Sequence, residues 1–215
     1  MMTEEIDIYT DGSCLKNPGK GGWGIVIVED NKVTAEYSKG YKHTTNSRME
    51  MYAILMALKY AEKNKSKIVN IKSDSNFIVQ AINKNWLQNW VRKGWKKSGN
   101  EPVANADIWK PIYKLYTELS DEVEINFIKV KAHSGVEFNE EVDDLAKAAA
   151  MQDELHNDKG YEGSDTNSSD STLFKEVKNN INIQNVDYNG VHSLKIKQGT
   201  KEIIVPINKI KEYLK

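Results

Sequence analysis

The sequence predicts an α/β protein: a five-stranded mixed sheet flanked by helices, followed by a small C-terminal α+β module. Three observations carry this. Short apolar runs at 6–11, 23–28 and 33–41 are separated by turn-forming residues, which reads as an antiparallel set of strands. From residue 47 onward, helix-period and strand-period patterns alternate, as βα units do. Beyond residue 157 the composition changes to acidic, Ser- and Gly-rich sequence before strand-like alternation resumes.

Each element follows from its own residues. Ile6 and Ile8 alternate with polar neighbours and give a first strand ending at Asp11, where Asp11-Gly12 reads as a turn. After the loop LKNPGKGG, the run WGIVIV (23–28) is a second strand; Asp30-Asn31 turns it, and VTAEYSKGY (33–41) returns beside it. From Ser47 to Asn64, apolar residues fall at 51, 54, 55, 58 and 61, the spacing of a helix against a core. IVNIKSD (68–74) is the fourth strand, and SNFIVQAIN opens a second helix. ADIWKPIYKLYTEL (106–119) is a further helix with Pro111 in its early turns. VEINFIKVK (123–131) alternates as the fifth strand, and NEEVDDLAKAAAMQ (139–152) closes the domain as a helix.

Composition narrows the class of protein. Hydrophobic content of 39% with 28% charged residues fits a soluble globular chain, and no apolar run reaches the ~18 residues of a membrane span. The N-terminus MMTEEIDIYT is acidic and has no apolar stretch of the secretory kind, and the lone Cys14 cannot form an internal disulfide. A cytoplasmic location is the expectation. The net charge of −1 is unevenly spread: zero over 1–150, −5 over 151–170 and +4 over 171–215. The stretch DKGYEGSDTNSSDS (158–171) reads as solvated linker. The expected domains are therefore a main domain over 1–152, a linker over 153–171 and a small basic module over 172–215.

Four carboxylates fall where strands end and helices begin. Asp11 and Asp74 end strands, while Glu50 and Asp143 sit in first turns of helices. In a mixed sheet such positions gather at one rim. Four clustered carboxylates repel, and hard divalent cations with oxygen ligands relieve that repulsion. Each residue also has a bland reading. Asp11 serves a turn, Ser47-Arg-Met-Glu50 is a capping box, Asp74 in SDSN is an N-cap, and Asp143 complements a helix dipole.

YTDGS followed by NPGKGGWG, then TTNSRMEMYA, KSDS, and VKAHSG with NEEVDDLAKAAA, resembles the type 1 ribonuclease H family from about residue 5 to 151. The resemblance implies a ribonuclease H-like fold and a metal-binding set of Asp11, Glu50, Asp74 and Asp143. It implies two Mg²⁺ ions with substrate bound, Mn²⁺ being an alternative, and His133 in KAHSG as a mobile residue assisting proton transfer or product release. The implied reaction is endonucleolytic hydrolysis of the RNA strand of an RNA–DNA hybrid, leaving a 5′-phosphate and a 3′-hydroxyl.

The same likeness implies how a hybrid is held. RNA displays its 2′-hydroxyls in a wide, shallow minor groove, and neutral side chains suit contacts there. Asn17, Asn46 and Asn76 would reach hydroxyls or base edges, with backbone amides around Cys14 and Gln80 assisting and Thr45 seating a DNA phosphate. Ser47 stands where many relatives have Asn, and Asn76 where Gln is common. Residues 83–100, NKNWLQNWVRKGWKKSGN, hold five basic residues and no acid, interleaved with Trp86, Trp90 and Trp95. Arg92, Lys93, Lys96 and Lys97 suit a phosphate backbone, and the stretch resembles the family's basic protrusion. The bland reading is a solvated helix–turn over buried tryptophans.

Residues 172–215 fall outside the resemblance. Asn189-Gly190 and Gly199-Thr200 read as hairpin turns of a three-stranded meander, and Ile207, Ile210 and Leu214 as one helix stripe. So small a module docks or self-associates, or else serves as an accessory nucleic-acid grip, while the catalytic domain is expected to be monomeric. Two rival functions keep the fold: a nuclease acting on another duplex, and a catalytically inactive hybrid-binding protein.

Overall fold

The structure is a computed structural model. It describes residues 5–64, 66–131 and 137–161, together with the backbone of 181–188, 191–198 and 201–206. The chain divides into two units, Met1–Thr166 and Asn167–Lys215. Among the described residues no helix is long and apolar enough to cross a membrane.

The first unit holds strands β1 (Glu5–Cys14), β2 (Gly19–Glu29), β3 (Lys32–Thr44), β4 (Ile68–Ser73) and β5 (Glu124–Lys129). Its helices are α1 (Asn46–Asn64), α2 (Asn76–Asn83), α3 (Trp86–Arg92), α4 (Ala106–Leu119) and α5 (Glu137–Ala150). The sheet order is β3-β2-β1-β4-β5. β1, β2 and β3 pair antiparallel, whereas β1–β4 and β4–β5 are parallel, as βα crossovers require. This is the expected five-stranded mixed sheet.

The first three strands run longer than their apolar patterns indicate. β1 continues through Asp11-Gly12 to Cys14, so that dipeptide is strand rather than turn. The supposed loop before Trp23 is also paired: Gly21 lies opposite Cys14 and Gly22 opposite Ser13. Glycine ordinarily weakens a strand and argues against one. Here it is needed because α5 lies so close: a Cβ on Gly22 would stand 2.6 Å from both the Ala146 carbonyl oxygen and the Ala150 nitrogen.

α1 packs on β1, β2 and β4 with α4 on its outer side, and α5 packs on β1, β2 and β3. The predicted stripe of α1 is buried, but so are Ala53, Met56 and Ala57 off that stripe. A helix sandwiched between a sheet and another helix buries more than one face. Trp23, Ile25 and Ile27 of β2 and Trp109 and Ile112 of α4 complete the core.

The start of the acidic linker is corrected. Residues 153–161 form a strap along the edge strand. Lys42 donates its backbone N–H to the His156 carbonyl (2.8 Å), and His156 donates to that of Gly40 (2.9 Å). Asp158, read as solvated, is fully buried. Acidic composition predicts solvation only where no buried cation waits for the carboxylate, and Arg48 is that cation. Residues 162–171 of the linker lie outside the described residues.

In the second unit, β6 (Ile181–Tyr188), β7 (Val191–Gln198) and β8 (Lys201–Pro206) form an antiparallel meander in the order β6-β7-β8. Its register sets Ile183, Ile196 and Ile203 in one row. The turn residues 189–190 and 199–200, and the helix expected over 207–215, lie outside the described residues.

Candidate active site

The parallel β1–β4 ladder ends with Thr10 opposite Ser73. The next residues in register are Asp11 and Asp74, so the two carboxylates emerge side by side where the strands part. On its other side Asp11 lies opposite Gly24, and a Cβ on Gly24 would face the Val142 carbonyl oxygen on α5 at 3.1 Å. Cross-strand partners share a face. Asp11 therefore points to the side of the sheet where Asp143 follows Val142.

Gly12 points the opposite way. A Cβ there would stand 2.1 Å from the Glu50 nitrogen and 2.3 Å from the Met49 carbonyl carbon. No side chain fits, and this contact brings the α1 backbone against β1 and Glu50 to the rim beside Asp11. The conformational tolerance of glycine is not what the site uses here; the missing side chain is.

The capping-box reading of Glu50 is corrected. α1 begins one residue before Ser47, and Thr45 Oγ1 accepts from the Arg48 backbone N–H (3.4 Å) as its cap. Glu50 instead accepts from Asn46 Nδ2 at Oε1 (2.9 Å) and from the Ser75 hydroxyl at Oε2 (2.8 Å). Asp74 is not an N-cap either; Ser75 occupies that position in α2, without a side-chain cap bond. Asp143 lies in the second turn of α5 rather than the first, and Lys147 Nζ donates to its Oδ2 (2.6 Å). His133 lies outside the described residues.

The electrostatics show strain of one sign. Burial, and then the charge of Asp74, push the Asp11 carboxyl up from its ordinary 3.8 to about 8; Asp143 and Glu50 add to this against a hydrogen bond from the Gly12 backbone. Glu50 is also raised, chiefly by burial and also by Asp74, with the Ser75 and Asn46 bonds opposing. Among the described residues no three His, Cys, Asp or Glu side chains stand in a ready metal-ligand group. The donor chemistry nonetheless fits a hard divalent cation: all four side chains offer oxygen, and they carry a mutual repulsion that a cation removes.

Beside the rim opens a groove of about 510 Å³ whose lining includes Phe77, Trp86, Trp90, Lys93, Lys96, Lys97 and Asn105. Ser47 also lines it, one helical turn before Glu50, and Phe77 lies three residues after Asp74, so groove and carboxylates adjoin. Trp86 and Trp90 are half-buried, which leaves ring surface exposed. Trp90 and Trp109 meet edge-on at 5.5 Å, which braces the groove floor. Trp95 does not line the groove; it packs edge-on against Tyr113 at 6.4 Å, and the Arg92 side chain is also outside the lining.

The remaining predicted contacts are made within the protein. Asn17 Oδ1 accepts from the Asn46 backbone N–H (3.2 Å), which links Asn17 through Asn46 to Glu50. Asn76 Oδ1 accepts from Gln80 Nε2 (2.9 Å), one turn apart on the outer face of α2. The Cys14 thiol donates to the Lys16 carbonyl oxygen (2.9 Å). Sequence reasoning missed Phe77, Asn105 and Ser75. For Phe77 a signal existed, since it lies off the buried stripe Ile78, Val79, Ile82 and is 53% exposed. Asn105 and Ser75 gave none, because their partners lie far along the chain.

A rim of carboxylates beside an aromatic and basic groove is an arrangement suited to a nuclease. Residues 3–151 match the protein family described as RNase H. The ribonuclease H of Pseudoalteromonas translucida (strain TAC 125) is 41% identical over 161 residues, 75% of this chain and 99% of that protein. That of Syntrophomonas wolfei is 46% identical over 148 residues, 68% of this chain and 96% of that protein. The solution structure of the PFV RNase H domain is 26% identical with a TM-score of 0.59, covering 67% of this chain and 93% of that one. The chain belongs to the RNase H family, and it is a ribonuclease H enzyme.

Proposed function

We propose that this enzyme hydrolyses the RNA strand of RNA–DNA hybrids with two Mg²⁺ ions held by Asp11, Glu50, Asp74 and Asp143, leaving a 5′-phosphate and a 3′-hydroxyl. The observation that carries the reading is the convergence of carboxylates: Asp11 and Asp74 emerge side by side where β1 and β4 part, the close approach at Gly12 brings Glu50 to the same rim, and a divalent cation relieves the repulsion that raises the Asp11 carboxyl. Bound there, such ions supply charge neutralisation at the phosphate and activation of a water, and Mn²⁺ has the same ligand preferences.

The chain's own residues do the rest. Asn46 and Ser75 hold both oxygens of Glu50, so its carboxylate is oriented before substrate arrives. Lys147 orients Asp143 through a hydrogen bond to its Oδ2. His133 is assigned assistance to proton transfer or product release, since histidine is the side chain suited to moving protons in enzymes. Asn17, Asn46 and Asn76 contact the minor groove, where 2′-hydroxyls distinguish RNA from DNA, together with backbone amides around Cys14 and Gln80. Thr45 seats a DNA phosphate. Trp86 and Trp90 offer ring faces, and Arg92, Lys93, Lys96 and Lys97 supply sequence-independent attraction to phosphates; Trp95 supports that protrusion from beneath. The main domain acts as a monomer in the cytoplasm, and the second unit docks or self-associates.

Labelled RNA–DNA hybrid, RNA duplex and DNA duplex, each with Mg²⁺ or with EDTA, test this. Cleavage of the hybrid alone, in Mg²⁺ alone, is expected. Cleavage that survives EDTA, or that spares the hybrid, refutes it.

A further inference from the structure

Arg48 is the most completely held charged side chain among the described residues and has no part in the mechanism above. It is 2% exposed and lies on α1 between Asn46 and Glu50, next to Ser47 of the groove wall. Asp158 of the strap takes it bidentately: Nε donates to Oδ2 and Nη2 to Oδ1, each at 2.7 Å. Asp107 at the start of α4 takes Nη1 at 3.0 Å and Nη2 at 2.7 Å. Nη1 also donates to Asn105 Oδ1 at 3.3 Å, and Asn105 lines the groove together with Ser47. Asp158 is secured in turn by the Thr44 hydroxyl (2.6 Å) and the Tyr52 hydroxyl (3.2 Å). Gly160 lets the strap close over this cluster, since a Cβ there would stand 1.9 Å from Asp107 Oδ2 and 2.5 Å from Arg48 Nη2.

One guanidinium therefore joins three elements: the start of α1, whose Ser47 lines the groove, the segment at the start of α4, whose Asn105 lines it too, and the strap that follows α5. Bidentate Arg–carboxylate pairs fix orientation as well as position. We propose that Asp158 is a positioning residue for substrate binding: through Arg48 the strap 153–161 sets the spacing between the 45–50 segment and Asn105, and so the width of the hybrid groove. Removing Asp158 leaves a buried cation with a single carboxylate partner, which turns toward Asp107 and carries the start of α1 with it. Misplacement of binding groups on the ångström scale is costly in such sites. The inference rests on the hybrid being the substrate, but it has a readout that does not.

The test compares the full chain with Asp158→Asn, with the milder Thr44→Val, and with Ile112→Val as a destabilised control away from the cluster. All are assayed below the onset of their melts. For Asp158→Asn, KM for hybrid is expected to rise about fivefold with kcat changed less than about twofold. Thr44→Val should move the same way by less, and Ile112→Val should leave KM unchanged. Amide hydrogen exchange over 45–50, without substrate, should quicken in Asp158→Asn and Thr44→Val and not in the control. Wild-type KM and wild-type exchange in both Asp158→Asn and Thr44→Val, with lowered melting temperatures, would show the strap to be a brace only and overturn the proposal. Should Asp158→Asn not fold, Thr44→Val alone decides. Should the wild type fail to bind hybrid, the substrate reading falls while exchange still decides the role of the strap.

Discussion

Neutralising Asp11 should make the metal-free enzyme more stable, not less. The folded protein holds a proton on Asp11 up to about pH 8, whereas the unfolded chain releases it above 3.8. Between those values the unfolded state binds fewer protons, so stability falls as pH rises from about 4 through about 8. At 1.36 kcal/mol per pH unit, the gap between 3.8 and neutrality sets an upper limit of about 4 kcal/mol at pH 7. Relaxation of the site and entry of water bring this to about 1–3 kcal/mol. Asp11→Asn has nearly the same shape and no charge to lose. In EDTA at pH 7 its melting temperature should exceed that of the wild type by about 3–10 °C, at about 2–4 °C per kcal/mol for a unit of this size. The gap should shrink at pH 4.5 and persist at pH 8. Adding Mg²⁺ should raise the wild-type melt and leave that of the variant unmoved, while hybrid cleavage by the variant is abolished. Equal gaps at pH 4.5 and pH 8, or a wild type that is the more stable at pH 8, would refute the electrostatic account and return Asp11 to a structural role.

The other expectations concern packing and the groove. Gly12→Ala drives a Cβ into the α1 backbone at Glu50, and should lower stability by about 1–3 kcal/mol in a denaturant melt and reduce turnover with it. Lys93→Ala and Lys96→Ala remove cations that line the groove. Each should weaken hybrid binding whatever its sequence, and flatten the plot of log affinity against log salt by about 1, read by anisotropy across a salt series.

The mixed sheet, the four acidic positions and the order of elements, the short helix α3 excepted, are legible along the chain. Strand and helix periods differ, and each element bears its own. The extent of β1 and β2 is not legible. Glycine carries no side chain to show a period, and the reason glycine is needed at Gly12 and Gly22 is a helix backbone contributed by residues far away. That also decides how Asp11 is presented: the sequence suggests a turn, whereas the structure shows a paired strand that parts from its parallel neighbour one residue earlier.

Side-chain partnerships divide along the same line. Glu50 within Ser-x-x-Glu obeys a local rule that the fold overrides, because Ser75, 25 residues on, offers a hydroxyl where α1 and α2 begin side by side. The Asp158–Arg48 pair spans 110 residues, and composition alone placed its acid in water. By itself the sequence determined the class of fold, the family and the residues able to bear the chemistry, since periodicity and residue type are local properties. Only the tertiary structure decided which carboxylates are buried, which cations hold them and what spaces the groove. Burial and ion pairing are properties of surfaces that meet only once the chain has closed on itself.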